Sequence, residues 1–239
     1  MKTAILIDGG FYLKRAFFLW GEKTPSMRAK EMMVYCKRHL QENHVKKDLY
    51  RIFYYDCLPS EKSVFHPLYD KNVSLKNTDL YKWNMEFFEE LKSKRKVAIR
   101  RGELLESSLG YVIKPEAVKD LCRRARTVDQ LTDSDFRLDV QQKGVDTRIC
   151  LDIASLAYKQ QVDQIILIAG DSDFVPAAKH ARREGIDFVL DPMWHTIKPS
   201  LFEHIDGLQT KTPKPGTDAA QKDSLYCKTT HIVTKTIET

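Results

Sequence analysis

The 239-residue sequence has no apolar run near the roughly 20 residues needed to span a bilayer, which argues against a helical membrane protein. Its first apolar stretch, residues 4–7, stops at Asp8. That is short of the about 7–15 apolar residues of a secretory signal. The expected location is therefore the cytoplasm, with no membrane partner. Of five cysteines (Cys36, Cys57, Cys122, Cys150 and Cys227), no two form a CxxC pair, and the count is odd. A disulfide framework and a cysteine zinc site are therefore not expected. The seven histidines (His39, His44, His66, His180, His195, His204 and His231) are scattered, with no pair at metal-ligand spacing on a single element. No internal repeat is present. The first strand ends in Asp8-Gly9-Gly10-Phe11, which is neither Asp-x-Asp nor Gly-x-Gly-x-x-Gly. A phosphatase or a dinucleotide-binding enzyme therefore ranks low.

What remains is an ordinary soluble composition, 42% hydrophobic and 30% charged, with a net charge of +6 and a pI near 8.9. A modest basic excess admits a polyanionic partner without requiring one. Its distribution says more. Lys92, Lys94, Arg95, Lys96, Arg100 and Arg101 fall in a stretch that holds no acid. Lys119, Arg123, Arg124 and Arg126 form a second cluster, and Lys179, His180, Arg182 and Arg183 a third. Each alone reads as a solvated helix face.

Short continuous apolar runs at 3–7 and 164–168 read as strands buried on both faces, and 49–55 and 186–190 as further strands. Residues 97–105 and 111–113 read as strands that could close a hairpin. Helical spacing covers 11–20, 27–43, 80–94, 115–126, 144–161 and 173–184. Alternating strands and helices predict an α/β fold: a three-layer α/β/α sandwich with a mainly parallel central sheet. One domain over 1–207 is expected, with 61–78 a loop excursion and 127–142 unassigned. A poorly ordered tail is expected over 208–239, where Thr, Lys and Pro accumulate.

In such a sheet, ligands bind beyond the carboxyl ends of the strands. Asp8 ends the first strand, Asp56 ends the second, and Asp171 and Asp173 follow the strand at 164–168. Asp146 begins a helix behind Gly144, on the side that carries Ile149 and Ile153. Asp152 lies further along that helix, at the border of its apolar face, better placed as a structural acid than as a direct ligand. Singly, these acids serve as caps or turn residues. Together they repel one another, and a divalent cation relieves that repulsion. Oxygen ligands without His or Cys suit Mg²⁺ or Mn²⁺. Such an ion activates water and neutralises charge on a phosphate, while basic flanks hold neighbouring phosphates. Candidate phosphate contacts are Lys143, Arg100, Arg101, Lys92, Lys94, Arg95 and Lys96. Trp194 and His195, beyond the last strand, read as packing residues rather than a base platform.

Three segments carry a family resemblance: Ile5-Leu6-Ile7-Asp8-Gly9-Gly10, Lys143-Gly144-Val145-Asp146 and Ala169-Gly170-Asp171-Ser172-Asp173-Phe174. Together they resemble the NYN domain family, in its LabA-like (DUF88) branch of the PIN-like nuclease superfamily. Arg100-Arg101-Gly102-Glu103-Leu104 and Tyr54-Tyr55-Asp56 are similar to that branch as well. The resemblance spans about residues 3–190. It implies a PIN-like fold and a metal-dependent ribonuclease site at Asp8, Asp146, Asp171 and Asp173, with Asp152 and Asp56 as a second tier. It departs at Phe11, where many NYN domains carry Asn. The expected function is hydrolysis of single-stranded or structured RNA. The alternative is an RNA-binding or regulatory module with little catalysis. A homo-oligomer is compatible with the sequence, which leaves the oligomeric state open.

Overall fold

The computed structural model describes residues 1–42, 45–223 and 225. The central sheet contains β1 (Lys2–Asp8), β2 (Asp48–Asp56), β3 (Val97–Arg101), β4 (Gln164–Ile168), β5 (Asp187–Asp191) and β6 (Gly207–Leu208). Their spatial order is β6-β5-β4-β1-β2-β3, and every pairing is parallel. The first strand thus lies inside the sheet, with β4 on one side and β2 on the other. The chain order reverses at β1, which makes the crevice beyond its carboxyl end the usual ligand position in an open α/β sheet.

A strand buried on both faces must be apolar on both. In β1, Ala4 and Leu6 point into one core layer and Ile5 and Ile7 into the other. The first layer is closed by α5 (Val145–Tyr158) and α6 (Val175–Arg183), through Ile149, Ile153 and Ala178. The second is closed by α1 (Gly9–Trp20), α2 (Pro25–His39) and α3 (Asp79–Lys92), through Tyr12, Tyr35 and Phe88. The third layer of the sandwich is therefore present, as the sequence pattern predicts. The remaining helix of this series, α4 (Pro115–Cys122), lies outside the sandwich.

Three expectations need correction. First, 97–105 and 111–113 do not form a hairpin. Residues 97–101 join the central sheet, and Gly110–Ile113 pairs antiparallel with Phe136–Asp139 from the unassigned polar stretch. Second, the 61–78 excursion is ordered: Ser63–His66 and Lys71–Ser74 form their own hairpin. With α4 they build a small lobe around Ala117, Leu131 and Phe136, where the His66 ring packs on Tyr111 at 4.1 Å and Tyr69 at 4.6 Å. Third, the stretch after 207 does not behave as a loose tail up to Asp223. Leu208 pairs with β5, Thr210 hydrogen-bonds Asp191, and Asp223 forms an ion pair with Arg38 at 2.6 Å. Polar composition concealed these anchors, because they are single contacts to residues far away in the chain. The expectation for 226–239, together with Cys227, His44 and His231, lies outside the described residues.

The four described cysteines are free thiols. No described helix is long and apolar enough to cross a membrane.

Candidate active site

Asp8 terminates β1 and caps α1. Its Oδ1 accepts the Phe11 backbone N–H at 3.1 Å, satisfying one of the free donors at that helix start. Gly9 follows because nothing larger fits. A Cβ there would meet the Tyr54 hydroxyl at 2.6 Å and Asp56 Oδ2 at 2.7 Å. Across the switch point, Ile7 is in register with Ile168 of β4, so the Ala169-Gly170-Asp171 turn emerges beside Asp8. Gly170 is required for a similar reason, since a Cβ would sit 2.5 Å from the Phe11 ring. Phe11 therefore fills the space between the two turns, and it also meets His195 edge-on at 5.8 Å. Asp171 caps the short turn Ser172–Phe174 by accepting the Asp173 N–H at 3.1 Å. Gly144, with φ of 79°, turns the chain into α5 and sets Asp146 in that helix's first turn.

These acids influence one another. Burial raises the Asp8 carboxyl to about 6, and the charges of Asp146 and Asp56 add to the effect of burial. Asp146 is also raised, by burial and then by Asp171 and Asp173. The Cys150 thiol, one helical turn below Asp146, is pushed up by burial and by Asp146 and Asp173. Asp8, Asp146, Asp171 and Asp173 thus share one electrostatic environment at the carboxyl edge of the sheet.

The second-tier acids differ. Asp56 is buried and already holds three donors: Cys57 N at 2.8 Å, Gln142 Nε2 at 2.9 Å and the Tyr54 hydroxyl at 3.1 Å. It contributes charge more than free oxygens. Asp152 accepts from the Tyr55 hydroxyl at 2.8 Å and Arg100 Nε at 2.9 Å, and so serves as a structural acid.

The basic residues divide as well. Lys92 and Lys94 pair with Glu89 and Glu90, and Lys96 Nζ donates to the Leu49 carbonyl. Together with Arg95 they precede β3, at the amino edge of the parallel sheet, the full strand length away from the acids. Arg100 is committed to Asp152. Of the predicted phosphate contacts, only Arg101 and Lys143 lie at the acid edge. Arg101 is level with Asp56, and Lys143 immediately precedes the Gly144 turn. Two others there were not predicted. Lys198 reaches the Ser172 hydroxyl at 3.1 Å, between Asp171 and Asp173, and Lys14 is exposed on α1 two turns after Asp8. Neither belongs to a charge cluster, so local sequence gave no signal for them.

An all-carboxylate donor set with raised acids matches the chemistry of a hard divalent cation. Among the described residues, however, no three His, Cys, Asp or Glu side chains converge closely enough to hold an ion. The acids are gathered but not closed on one point.

The NYN domain family model matches residues 76–198, which contain Asp146, Asp171 and Asp173 and begin after Asp8 and Asp56. No curated protein matches. Among solved structures, a Vibrio parahaemolyticus protein of unknown function is 15% identical, with a TM-score of 0.42, covering 87% of this chain and 90% of its own. A noncanonic maltogenic α-amylase, AmyB, from Thermotoga neapolitana is 9% identical with a TM-score of 0.22, covering 87% of this chain and 48% of its own. NYN domains form part of the PIN-like nuclease superfamily and are generally nucleases. The family match, on a parallel α/β/α sandwich with its acids at the switch point, places this chain in the NYN domain family.

Proposed function

We propose that this protein is a metal-dependent ribonuclease that hydrolyses RNA phosphodiester bonds, with Mg²⁺ or Mn²⁺ held by Asp8, Asp146, Asp171 and Asp173. The observation that carries this is the gathering of those acids at the switch point, where burial, and after it the charges of Asp146 and Asp56, raise Asp8 to about 6, and burial with Asp171 and Asp173 raises Asp146. Unpaired acids at one edge work against folding stability, and a cation offsets that cost. When bound, such an ion activates water and neutralises charge on the reacting phosphate. The protein's own part is to hold the acids on rigid strand and helix ends and to bind the flanking backbone. Lys143, Arg101, Lys14 and Lys198 stand at the rim as phosphate contacts. The Tyr54-Tyr55-Asp56 and Arg100–Leu104 segments favour the LabA-like branch.

The test is cleavage of single-stranded RNA in Mg²⁺ or Mn²⁺ against chelator, for wild type, Asp171→Asn and Asp8→Asn. Both variants are expected to fold and to lose cleavage by about 10²-fold or more. Cleavage retained in both, in preparations free of other nucleases, removes the proposal. A second reading, an RNA-binding module without catalysis, is favoured by Phe11 and by the lack of a closed ligand trio among the described residues. It predicts salt-dependent RNA retardation on a gel with no cutting in either metal.

A further inference from the structure

Beside the acids lies a cavity of about 380 Å³, bordered by Gly10 and Asp56 at its inner end. That volume falls in the range of small-molecule sites. Its walls come from separate parts of the chain: the segment after β2, the start of α3, and the strands around 104–142. The apolar lining includes Leu58, Leu75, Leu104, Leu109, Leu138 and Val140, and most of these side chains are only half-buried. An apolar cleft of this size with a few polar groups on its walls has the form of a ligand pocket.

The polar atoms on its walls have a consistent character. Gln142 uses its amide N–H on the Asp56 carboxylate at 2.9 Å. Asn84 uses its amide N–H on the Leu80 carbonyl at 2.9 Å. Both partners are acceptors, so the amide orientations are fixed, and each side-chain carbonyl oxygen is left without a hydrogen-bond donor. Asp56, which already holds three donors, adds negative charge. The Tyr81 hydroxyl is spent on Glu61 at 2.6 Å. The wall therefore offers acceptors and few donors. Lys14 stands at the same cavity, on the helix that begins at Asp8.

We propose that this cavity is a subsite for one unpaired nucleobase, adenine or cytosine, whose exocyclic amino group lies at the ring position that guanine and uracil fill with a carbonyl, on the strand whose phosphate lies at the acids. The aliphatic walls receive the ring faces, the Asn84 and Gln142 carbonyls accept from the amino group, and Lys14 holds the adjoining phosphate. Uracil presents a carbonyl where the amine is needed and offers only its ring N3–H, so it cannot serve both wall acceptors. A base within a duplex cannot enter without leaving its partner. This rests on RNA being the ligand of the acid site.

The test measures binding in chelator, so that it does not depend on catalysis. Fluorescent oligo(A), oligo(C) and oligo(U) of equal length are titrated by anisotropy against wild type, Leu138→Trp and Asn84→Leu. Wild type is expected to bind oligo(A) and oligo(C) about tenfold more tightly than oligo(U). Leu138→Trp fills the cavity and is expected to bring the three to one weak affinity. Asn84→Leu keeps the apolar walls and is expected to lose the amino-base preference alone. Thermal melts confirm that both variants are folded, and either variant suffices. Equal wild-type affinities for the three oligomers, or a preference unchanged in both variants, overturn the subsite. Amino-base preference without cleavage in Mg²⁺ or Mn²⁺ supports the subsite and counts against the nuclease reading. Cleavage without base preference does the reverse.

Discussion

Two groups of acids on this molecule are used in opposite ways. Asp191, fully buried at the end of β5, accepts from the Tyr35 hydroxyl at 2.5 Å, His39 Nε2 at 2.7 Å, Met193 N at 2.8 Å and the Thr210 hydroxyl at 3.0 Å. Glu31 is equally enclosed, between Arg28 and Lys23, each at 2.6 Å. At the end of β1 and in the first turn of α5, Asp8 and Asp146 meet other carboxylates instead of cations. A buried acid that serves the fold is surrounded by donors, because an uncompensated charge costs several kcal/mol. An acid placed among other acids contributes no such stability, and its position points to a ligand that is not part of the chain.

The contrast can be broken at either end. Asp191→Ala strands Tyr35 and His39 in the core, and urea unfolding should show a loss of roughly 3–5 kcal/mol. Asp8→Asn should act in the other direction. The amide can still cap α1, and the charge that burial and Asp146 penalise is gone. For a carboxyl raised from 3.8 to about 6, the penalty is fully present above pH 6 and disappears below the unfolded value. Without divalent ions the variant should therefore be more stable than wild type by about 3 kcal/mol at pH 7. The two should converge near pH 4. An Asn variant less stable than wild type at pH 7 would mean that Asp8 is a structural acid after all. Gly170→Ala should cost about 1–2 kcal/mol by displacing Phe11. It should also lower cleavage more than Tm, because the Asp171 turn moves with it. Smallest is Asp152→Asn, expected to cost under about 1 kcal/mol, since the Arg100 pair is half-exposed and the amide oxygen still accepts from Tyr55. A large loss of cleavage in this variant would place Asp152 with Asp8 and Asp146.

The sandwich was legible because its strands are buried on both faces: 3–7 and 164–168 are unbroken apolar runs that few other settings tolerate. The strand-end position of Asp8, and the turn that carries Asp171 and Asp173, followed from the same runs. The basic residues were read less well. Charge density drew attention to 92–96, yet those lysines satisfy nearby glutamates and a carbonyl at the wrong end of β3. Lys198 stands alone in sequence and Lys14 has only Arg15 beside it, and both reach the site only through the fold. Phe11 reads in sequence as a departure from the family pattern. In the structure its ring occupies the space that Gly170 leaves open, so the two positions vary in meaning together. The small lobe was missed because its pairings join 63–74, 110–113 and 136–139, each too short to show periodicity.

The interior position of β1 has a consequence for how the protein comes into being. β1 precedes both of its sheet neighbours, 48–56 and 164–168, in the sequence, so during synthesis one of its edges stays unpaired until residues 164–168 have been made. Until then a bare Ala4–Ile7 edge is open to pairing with other nascent chains. The step that covers it also brings the Asp171 turn alongside Asp8. Protection from aggregation and the birth of the acidic centre are thus one event, the docking of 164–168 on β1.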